Sequence, residues 1–585
     1  MNLPKIETLL LQEMVEVRGG LAGVCECTKG AGQASEDGGK CSCSSGAGQK
    51  ALSFETAKGE ETILHLFERS RPVIKFAPAA EQKQPETYTA AGVLFSTNMI
   101  IKLSPSYTIR NQKNCSYIVR VDKIINNDTN EFGAIPIPPF IGYILSRLGR
   151  DELDRDLMLL SDEMGITKNA IHNFVAQLLP NQDNRGNKEF KLSDTFSIVF
   201  PSNLLEVCES VEETSFFETE DFNWSQEFIP QRPSMPLSVN LMVTTLCNTS
   251  CCYCYANRSL TPLMSTVEIV DIIKELKKKG VVNLTLTGGD IFAHKDWSVI
   301  LEEVINAGYK PFLSTKTPLS PTDLKVLHDL GYTEIQFSLD SDDPCVLKEL
   351  IKVDEDYINH VITMFEACSK HGISILIRSV LTKKNGSLES VARLYNFLSN
   401  YSCVKEWIMT PAFFSEYKKQ QYAEIEIDND SLKAIYDFSK KHSSNFRIGL
   451  NKISSDGYVL QKCNTVSEFV CRNQICLANT TSLSILANGL CSICEMLYDH
   501  PEYILGSVRK ASISEIWNSE KALNLYSPQQ ENIESDSPCK TCEVFSKCKT
   551  TFGKRICYLD ITKVGGNQED PDPRCPLSKK TKYIL

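Results

Sequence analysis

Residues 237–254 read LSVNLMVTTLCNTSCCYC, and the fold is decided there. Leu237 to Thr245 alternate apolar and polar residues at the two-residue period of a strand. The strand runs into the loop Cys247-Asn-Thr-Ser-Cys251-Cys252-Tyr253-Cys254. Ser265 and Glu268 then make a capping box, followed by Ile269, Ile272, Ile273 and Leu276 at helical spacing. VVNLTLT (281–287) is the next strand and ends in Thr287-Gly288-Gly289-Asp290. Strand patterns recur near PFLST (311–315), TEIQFSL (333–339), ISILIRSVLT (373–382) and VKEWIMT (404–410). Six such units over residues 236–450 predict an α/β fold with a parallel sheet, arranged as a partial (β/α)6 barrel. Chemistry in such a barrel sits at the C-terminal ends of the strands, where the cysteine loop falls.

Three thiolates from one short loop (Cys247, Cys251 and Cys254) can hold three irons of a [4Fe–4S] cube and leave the fourth iron open. A zinc loop or a core cysteine cluster uses the same residue type, so the neighbouring residues matter. Gly288 and Gly289 allow close backbone approach to a ligand, and the Asp290 carboxylate can accept from an ammonium group. With Tyr253 before the third cysteine, these motifs resemble the radical SAM (S-adenosylmethionine) superfamily. The resemblance implies SAM on the open iron, contacts to it from Tyr253, Gly288, Gly289 and Asp290, and further contacts from Ser338 and Arg378 on the fourth and fifth strands. It also implies an external electron donor and reductive cleavage of SAM to a 5′-deoxyadenosyl radical. The family's usual acid after the glycines is Glu, where this chain has Asp290. Cys252 is a bystander in this scheme, and no catalytic acid or base is singled out.

The chain has 585 residues, 23 cysteines, 8 histidines and a net charge of −11. The negative charge argues against general binding to nucleic acid or anionic membranes. An apolar run of the ~20 residues needed to span a membrane is missing, and the N-terminus lacks a signal-peptide pattern. Clustered cysteines in a long chain then point to metal or redox chemistry in a reducing cytoplasm.

Cysteines return after residue 450: Cys471, Cys476, Cys491 and Cys494, then Cys539, Cys542, Cys548, Cys557 and Cys575. The region 451–585 resembles the SPASM extension of radical SAM peptide-modifying enzymes, with Cys476, Gly489 and Cys494 ahead of the block Cys539, Cys542, Cys548 and a final Cys575. That resemblance implies two auxiliary [4Fe–4S] clusters, with Cys471, Cys476 and Cys494 at the first and Cys539, Cys542, Cys548 and Cys575 at the second. The family's further cysteine falls at Phe552 here, so either Cys557 substitutes or one iron stays open. Structural zinc knuckles are the competing reading of these CxxC pairs.

Residues 60–225 contain SYIVRVDKII and DTFSIVF as strands and PPFIGYILSRL and ITKNAIHNFVAQLL as helices, a winged-helix-like α+β pattern. The domain resembles the peptide-recognition element of ribosomal-peptide maturases, which binds a leader peptide along a sheet edge or groove. Residues 1–20 read as one amphipathic helix ending at Gly19-Gly20, with Ile6, Leu9, Met14 and Val17 on one face, and resemble a double-glycine leader. Residues 21–59 are a Cys/Gly-rich segment and linker. Within it, Cys25-x-Cys27 and Cys41-x-Cys43 head two copies of a short repeat resembling a core peptide. The expectation is a radical SAM maturase forming thioether crosslinks in a Cys-rich peptide, with its own residues 1–50 as the candidate substrate. Action on a separate peptide or protein and a non-enzymatic electron carrier are the competing functions.

Overall fold

The computed structural model describes residues 3–12, 14–17, 99–121, 134–180, 186–193, 196–256, 258–412, 424–442, 446–451, 462–470, 476–497, 500–534, 536–550 and 556–579. The segment with Cys25, Cys27, Cys41 and Cys43 lies outside them, as do Gly19, Gly20, Cys471 and Phe552.

The chain opens with helix α1 (Leu3–Leu11) and a short strand β1 (Val15–Val17). The single helix expected over residues 1–20 therefore stops at Leu11. Met14 and Val17 leave the helical face because the backbone of Val15–Val17 is claimed by a sheet edge, where β-branched residues fit. Strands β2 (Ile100–Leu103), β3 (Tyr107–Gln112), β4 (Cys115–Arg120) and β5 (Ala134–Ile137) precede helices α2 (Pro139–Arg147), α3 (Leu153–Met164) and α4 (Lys168–Leu178). An antiparallel hairpin follows, β6 (Asn187–Lys191) and β7 (Ser197–Phe200), then β8 (Leu205–Cys208) and β9 (Phe216–Glu218). The helices are thus followed by a hairpin. Phe174 of α4 meets Phe190 of β6 edge-on at 5.6 Å and Phe200 of β7 at 6.0 Å, which pins the hairpin to the helix.

The barrel begins at β10 (Ser238–Thr244), then α5 (Thr266–Lys278), β11 (Asn283–Gly288), α6 (Trp297–Asn306), β12 (Ser314–Thr315), α7 (Pro321–Asp329) and β13 (Glu334–Ser338). It continues through α8 (Pro344–Ile351), α9 (Tyr357–His371), β14 (Ser374–Leu381), α10 (Leu388–Leu398), β15 (Val404–Pro411), α11 (Asn429–Lys441) and β16 (Arg447–Leu450). The expected capping box forms: the Ser265 side chain accepts from Glu268 N–H, and the Glu268 side chain accepts from Ser265 N–H. All six expected strands are present, and β16 adds a seventh beside β15. Its four residues Arg-Ile-Gly-Leu are too few to show an alternating pattern in sequence.

The parallel strands fall into two sheets. β10 pairs with β11, and β12 to β16 pair in chain order. Among the described residues no backbone ladder joins β11 to β12. The free edge of β10 is taken by β17 (Ser482–Ile485), which pairs with it in parallel and carries β18 (Leu490–Ser492) and β19 (Ile504–Ser507) as an antiparallel extension. Gly489 sits at φ +80° in the turn between β17 and β18, a left-handed position that suits glycine.

The Pro-rich linker is clamped to the C-terminal region. Buried Arg232 donates to the Asn479 carbonyl at 2.7 Å, the Asn479 side chain at 2.7 Å and the Trp517 carbonyl at 2.9 Å. Its guanidinium stacks 3.4 Å from the Trp517 ring centre. Arg232→Leu leaves three buried acceptors without this donor and should cost about 2–4 kcal/mol, read as a lower midpoint of denaturant unfolding.

Candidate functional site

The loop after β10 is held from several sides. Leu246 N–H donates to the Thr244 hydroxyl at 3.1 Å. Ser250 N–H and Cys252 N–H donate to the Ile351 and Leu350 carbonyls at 2.7 and 2.8 Å, satisfying carbonyls at the C-terminal end of α8. The backbone of Cys252 thus has a structural task, in keeping with its bystander status as a ligand. The Thr249 hydroxyl lies 3.3 Å from Cys247 Sγ and 3.5 Å from Cys251 Sγ, and the Arg258 guanidinium donates to the Thr249 carbonyl. Burial pushes the Cys251 thiol up, while nearby Lys316 acts in the opposite direction. Three soft donors on one loop at the C-terminal rim of a parallel barrel fit a cluster with an open iron.

Gly288 and Gly289 face the cysteine loop itself. A Cβ on Gly288, at φ +146°, would overlap the Thr244 carbonyl oxygen, and one on Gly289 would overlap that of Leu246. Gly289 N–H and Asp290 N–H donate to those two carbonyls at 2.9 and 2.8 Å. The glycines are needed for backbone-to-backbone approach, which brings the end of β11 against the root of the loop.

Asp290, read in the sequence as an acceptor for the SAM ammonium, also has a task within the fold. It is 5% exposed, and its carboxylate is already occupied. One oxygen accepts from Phe292 N–H at 3.0 Å. The other accepts from the Thr315 hydroxyl at 2.7 Å, Lys316 N–H at 3.1 Å and the Thr317 hydroxyl at 3.0 Å. Four donors thus converge on this carboxylate, three of them on one oxygen. Asp290 bridges the gap between β11 and β12.

Ser338 and Arg378 are register partners in β13 and β14, both half-buried. Arg378 is engaged by Glu406 at 2.6 Å, and Glu406 also takes Arg447 at 3.3 Å. The structure places Arg378 in this ion network. The residues that reach the loop were not singled out in the sequence: Asp340, two positions past Ser338, and Lys316 at the end of β12. The Tyr253 hydroxyl donates to Asp340 Oδ2, and Lys316 Nζ lies 3.0 Å from the same oxygen. Their signal was present as polar residues at strand ends, Ser-Thr-Lys and Ser-Leu-Asp.

In the C-terminal region Cys539, Cys542, Cys548 and Cys575 line one pocket together with Phe469 and Lys549. Burial pushes the Cys494 thiol up to about 12, with Cys476 adding to the effect. Cys557 is likewise raised by burial, with Asp560 and Cys476 contributing. Cys476 thus influences both Cys494 and Cys557, while Cys548 is influenced by Cys539 and Cys575. Of the residues expected at the first auxiliary cluster, Cys476 and Cys494 are described and Cys471 is not.

A second site lies on the N-terminal domain. β1 pairs antiparallel with β6, Val15 opposite Glu189 and Val17 opposite Asn187. Gln177 of α4 donates to the Gln12 carbonyl at 3.1 Å and accepts from Met14 N–H at 2.6 Å. Asn173 donates to the Leu10 carbonyl at 3.0 Å, and Glu7 accepts from Thr167 N–H at 3.2 Å. Ile6 and Leu10 are 1% and 0% exposed.

Comparison with known proteins agrees with this geometry. The radical SAM superfamily matches residues 241–397, and the SPASM iron–sulfur cluster-binding domain matches residues 476–543. The chain carries both domains, and their cofactors are SAM and [4Fe–4S] clusters. It is similar to a probable GTP 3′,8-cyclase of Methanococcus maripaludis, 32% identical over 19% of this chain and 39% of that protein. It is also similar to the sporulation killing factor maturation protein SkfB of Bacillus subtilis, 27% identical over 19% of this chain and 27% of that protein. The chain spans about half or less of the first of these relatives. In fold it resembles Streptococcus suis SuiB bound to precursor peptide SuiA, with a TM-score of 0.52 and 15% identity over 82% of this chain and 100% of that one. No helix among the described residues is long and apolar enough to cross a membrane.

Asp290→Ala separates the bridging role from a ligand contact. Loss of an acceptor for four buried or half-buried donors should destabilise the cofactor-free chain by about 2–3 kcal/mol, read by thermal unfolding. A residue serving only SAM would leave that value unchanged.

Proposed function

We propose that this chain is a radical SAM peptide maturase that forms thioether crosslinks in a Cys-rich peptide, and that the peptide is its own N-terminal segment. The observation that carries this reading is the docking of Leu3–Val17 on α4 and the edge of β6. Helix packing plus strand addition is a recurring way of holding a peptide, with backbone bonds for affinity and pockets for side chains. SuiB and SkfB, by their names a precursor-peptide binder and a maturation protein, support the same class.

Bound on the open iron of the cluster, SAM supplies a 5′-deoxyadenosyl radical for hydrogen abstraction. Cys247, Cys251 and Cys254 hold that cluster, and Tyr253, Gly288, Gly289 and Ser338 shape its surroundings. Cys471, Cys476 and Cys494 hold one auxiliary cluster, with Cys557 taking the place left by Phe552. Cys539, Cys542, Cys548 and Cys575 hold the other. Docking of residues 3–17 fixes the start of the segment. Cys25 follows Val17 by about eight residues, a reach of at most ~28 Å when extended. The covalent tether keeps the thiols at an effective concentration in the ~mM range. Each thioether would replace one C–H and one S–H by a C–S bond, with one hydrogen atom leaving in 5′-deoxyadenosine, the other as a proton, and the remaining electron passing to an auxiliary iron–sulfur cluster.

Mass spectrometry of the anaerobically reconstituted, reduced chain after incubation with SAM tests this. The expected result is a loss of two hydrogens per bridge in the residue 1–60 fragment, cysteines closed to alkylation and 5′-deoxyadenosine formed. Deoxyadenosine with an unchanged fragment would move the substrate to a separate peptide. Ile6→Asp with Leu10→Asp should lower crosslinking about tenfold or more by expelling two buried side chains from the dock, while deoxyadenosine formation persists.

A further inference from the structure

A buried lysine, aspartate and tyrosine converge beside the cysteine loop. The Lys316 side chain is 13% exposed and the Asp340 side chain 0%, with 3.0 Å between Nζ and Oδ2. Nζ also lies 5.7 Å from the centre of the Tyr253 ring, and the Tyr253 hydroxyl donates to the same Asp340 oxygen. The other Asp340 oxygen accepts from Val380 N–H at 2.9 Å, so the carboxylate is held by β14. Lys316 is fixed through its backbone as well. Its N–H donates to Asp290 at 3.1 Å, and its carbonyl accepts from the Tyr357 hydroxyl at 2.7 Å. A flexible side chain with three rotatable donors is thereby confined to one place, between three barrel strands and the residue that separates Cys252 from Cys254.

We propose that the Lys316 ammonium, held by Asp340 and Tyr253, is a positioning charge that eases uptake of the electron by the cluster on Cys247, Cys251 and Cys254. The inference rests on assigning that cluster to those cysteines. Three thiolates outweigh the 2+ charge of an oxidised cube, so reduction adds an electron to a site that is already negative. A fixed cation within a protein interior favours the more negative state. Lys316 acts on both Cys251 and Cys247, and at Cys251 its influence exceeds the opposing influence of Asp340. Arg258, a cation close behind the cysteines in sequence, donates to the Thr249 backbone. In the step concerned, the cluster takes one electron from an external low-potential donor and passes from 2+ to 1+. No bond forms or breaks and no proton moves.

The test is a redox titration of the full reconstituted chain with dithionite, followed by electron paramagnetic resonance. The relevant cluster is the one whose reduced signal changes when SAM is added. Lys316→Met should make its reduction less favourable by about tenfold or more, which is 59 mV for a one-electron couple. Lys316→Arg should restore the wild-type value, and Asp340→Asn should shift it in the opposite direction. Unchanged values in Lys316→Met and Asp340→Asn would overturn the proposal. If Lys316→Met assembles no iron, Asp340→Asn decides: an upward shift supports the proposal and an unchanged value overturns it. A wild-type chain without a SAM-responsive signal would overturn the cluster assignment along with it.

Discussion

The Asp290 carboxylate is the constraint on which the candidate site depends. A parallel barrel normally passes from strand to strand through backbone ladders, and between β11 and β12 that ladder is missing among the described residues. Asp290 replaces it with side-chain acceptors for Thr315, Lys316 and Thr317. Its own N–H reaches back to Leu246 at the root of the cysteine loop. One residue thus connects the loop, β11 and β12, and it sets where the Lys316 side chain begins. Glu in this place would be longer by one methylene, so the shorter acid suits a bridging task within the fold.

Around this point the chain uses elements distant in sequence. Tyr253, Lys316 and Val380 come from the loop after β10, the end of β12 and β14, yet they meet on the one carboxylate of Asp340. The C-terminal region is attached by strand addition of β17 to β10 and by the Arg232 clamp, so the cysteine-rich extension and the barrel share a hydrophobic core. The same device recurs at the N-terminus, where β1 completes the edge of β6. Edge strands with unpaired backbone groups accept an added strand readily, and this chain places one of its own segments there.

Much of this was legible in the residues. The alternation of Leu237–Thr245, the Ser265/Glu268 capping box and the glycines before Asp290 each mark a local backbone preference, and each forms as read. The N-terminal helix was read too long because Val15 and Val17 are compatible with a helical face in isolation, and the competing β6 edge lies some 170 residues away in sequence. Arg378 was read as a SAM contact from its position on the strand; its ion pair with Glu406, which also takes Arg447, is a further contact that periodicity cannot reveal. Lys316 and Asp340 were passed over because a lysine or aspartate at a strand end is ordinary until its partners are known.

The sequence by itself determined the βα order, the cysteine spacing that suits an iron–sulfur cube and the return of clustered cysteines after the barrel. These are local properties, set by side-chain period, capping chemistry and the number of residues between ligands. Only the tertiary structure decided what Asp290 binds, which charges stand beside Cys251, that Cys476 shares its surroundings with Cys494 and Cys557, and that residues 3–17 dock on α4 and β6. Those outcomes depend on which side chains meet across long stretches of chain, where burial removes competing water and makes one set of partners the favoured arrangement.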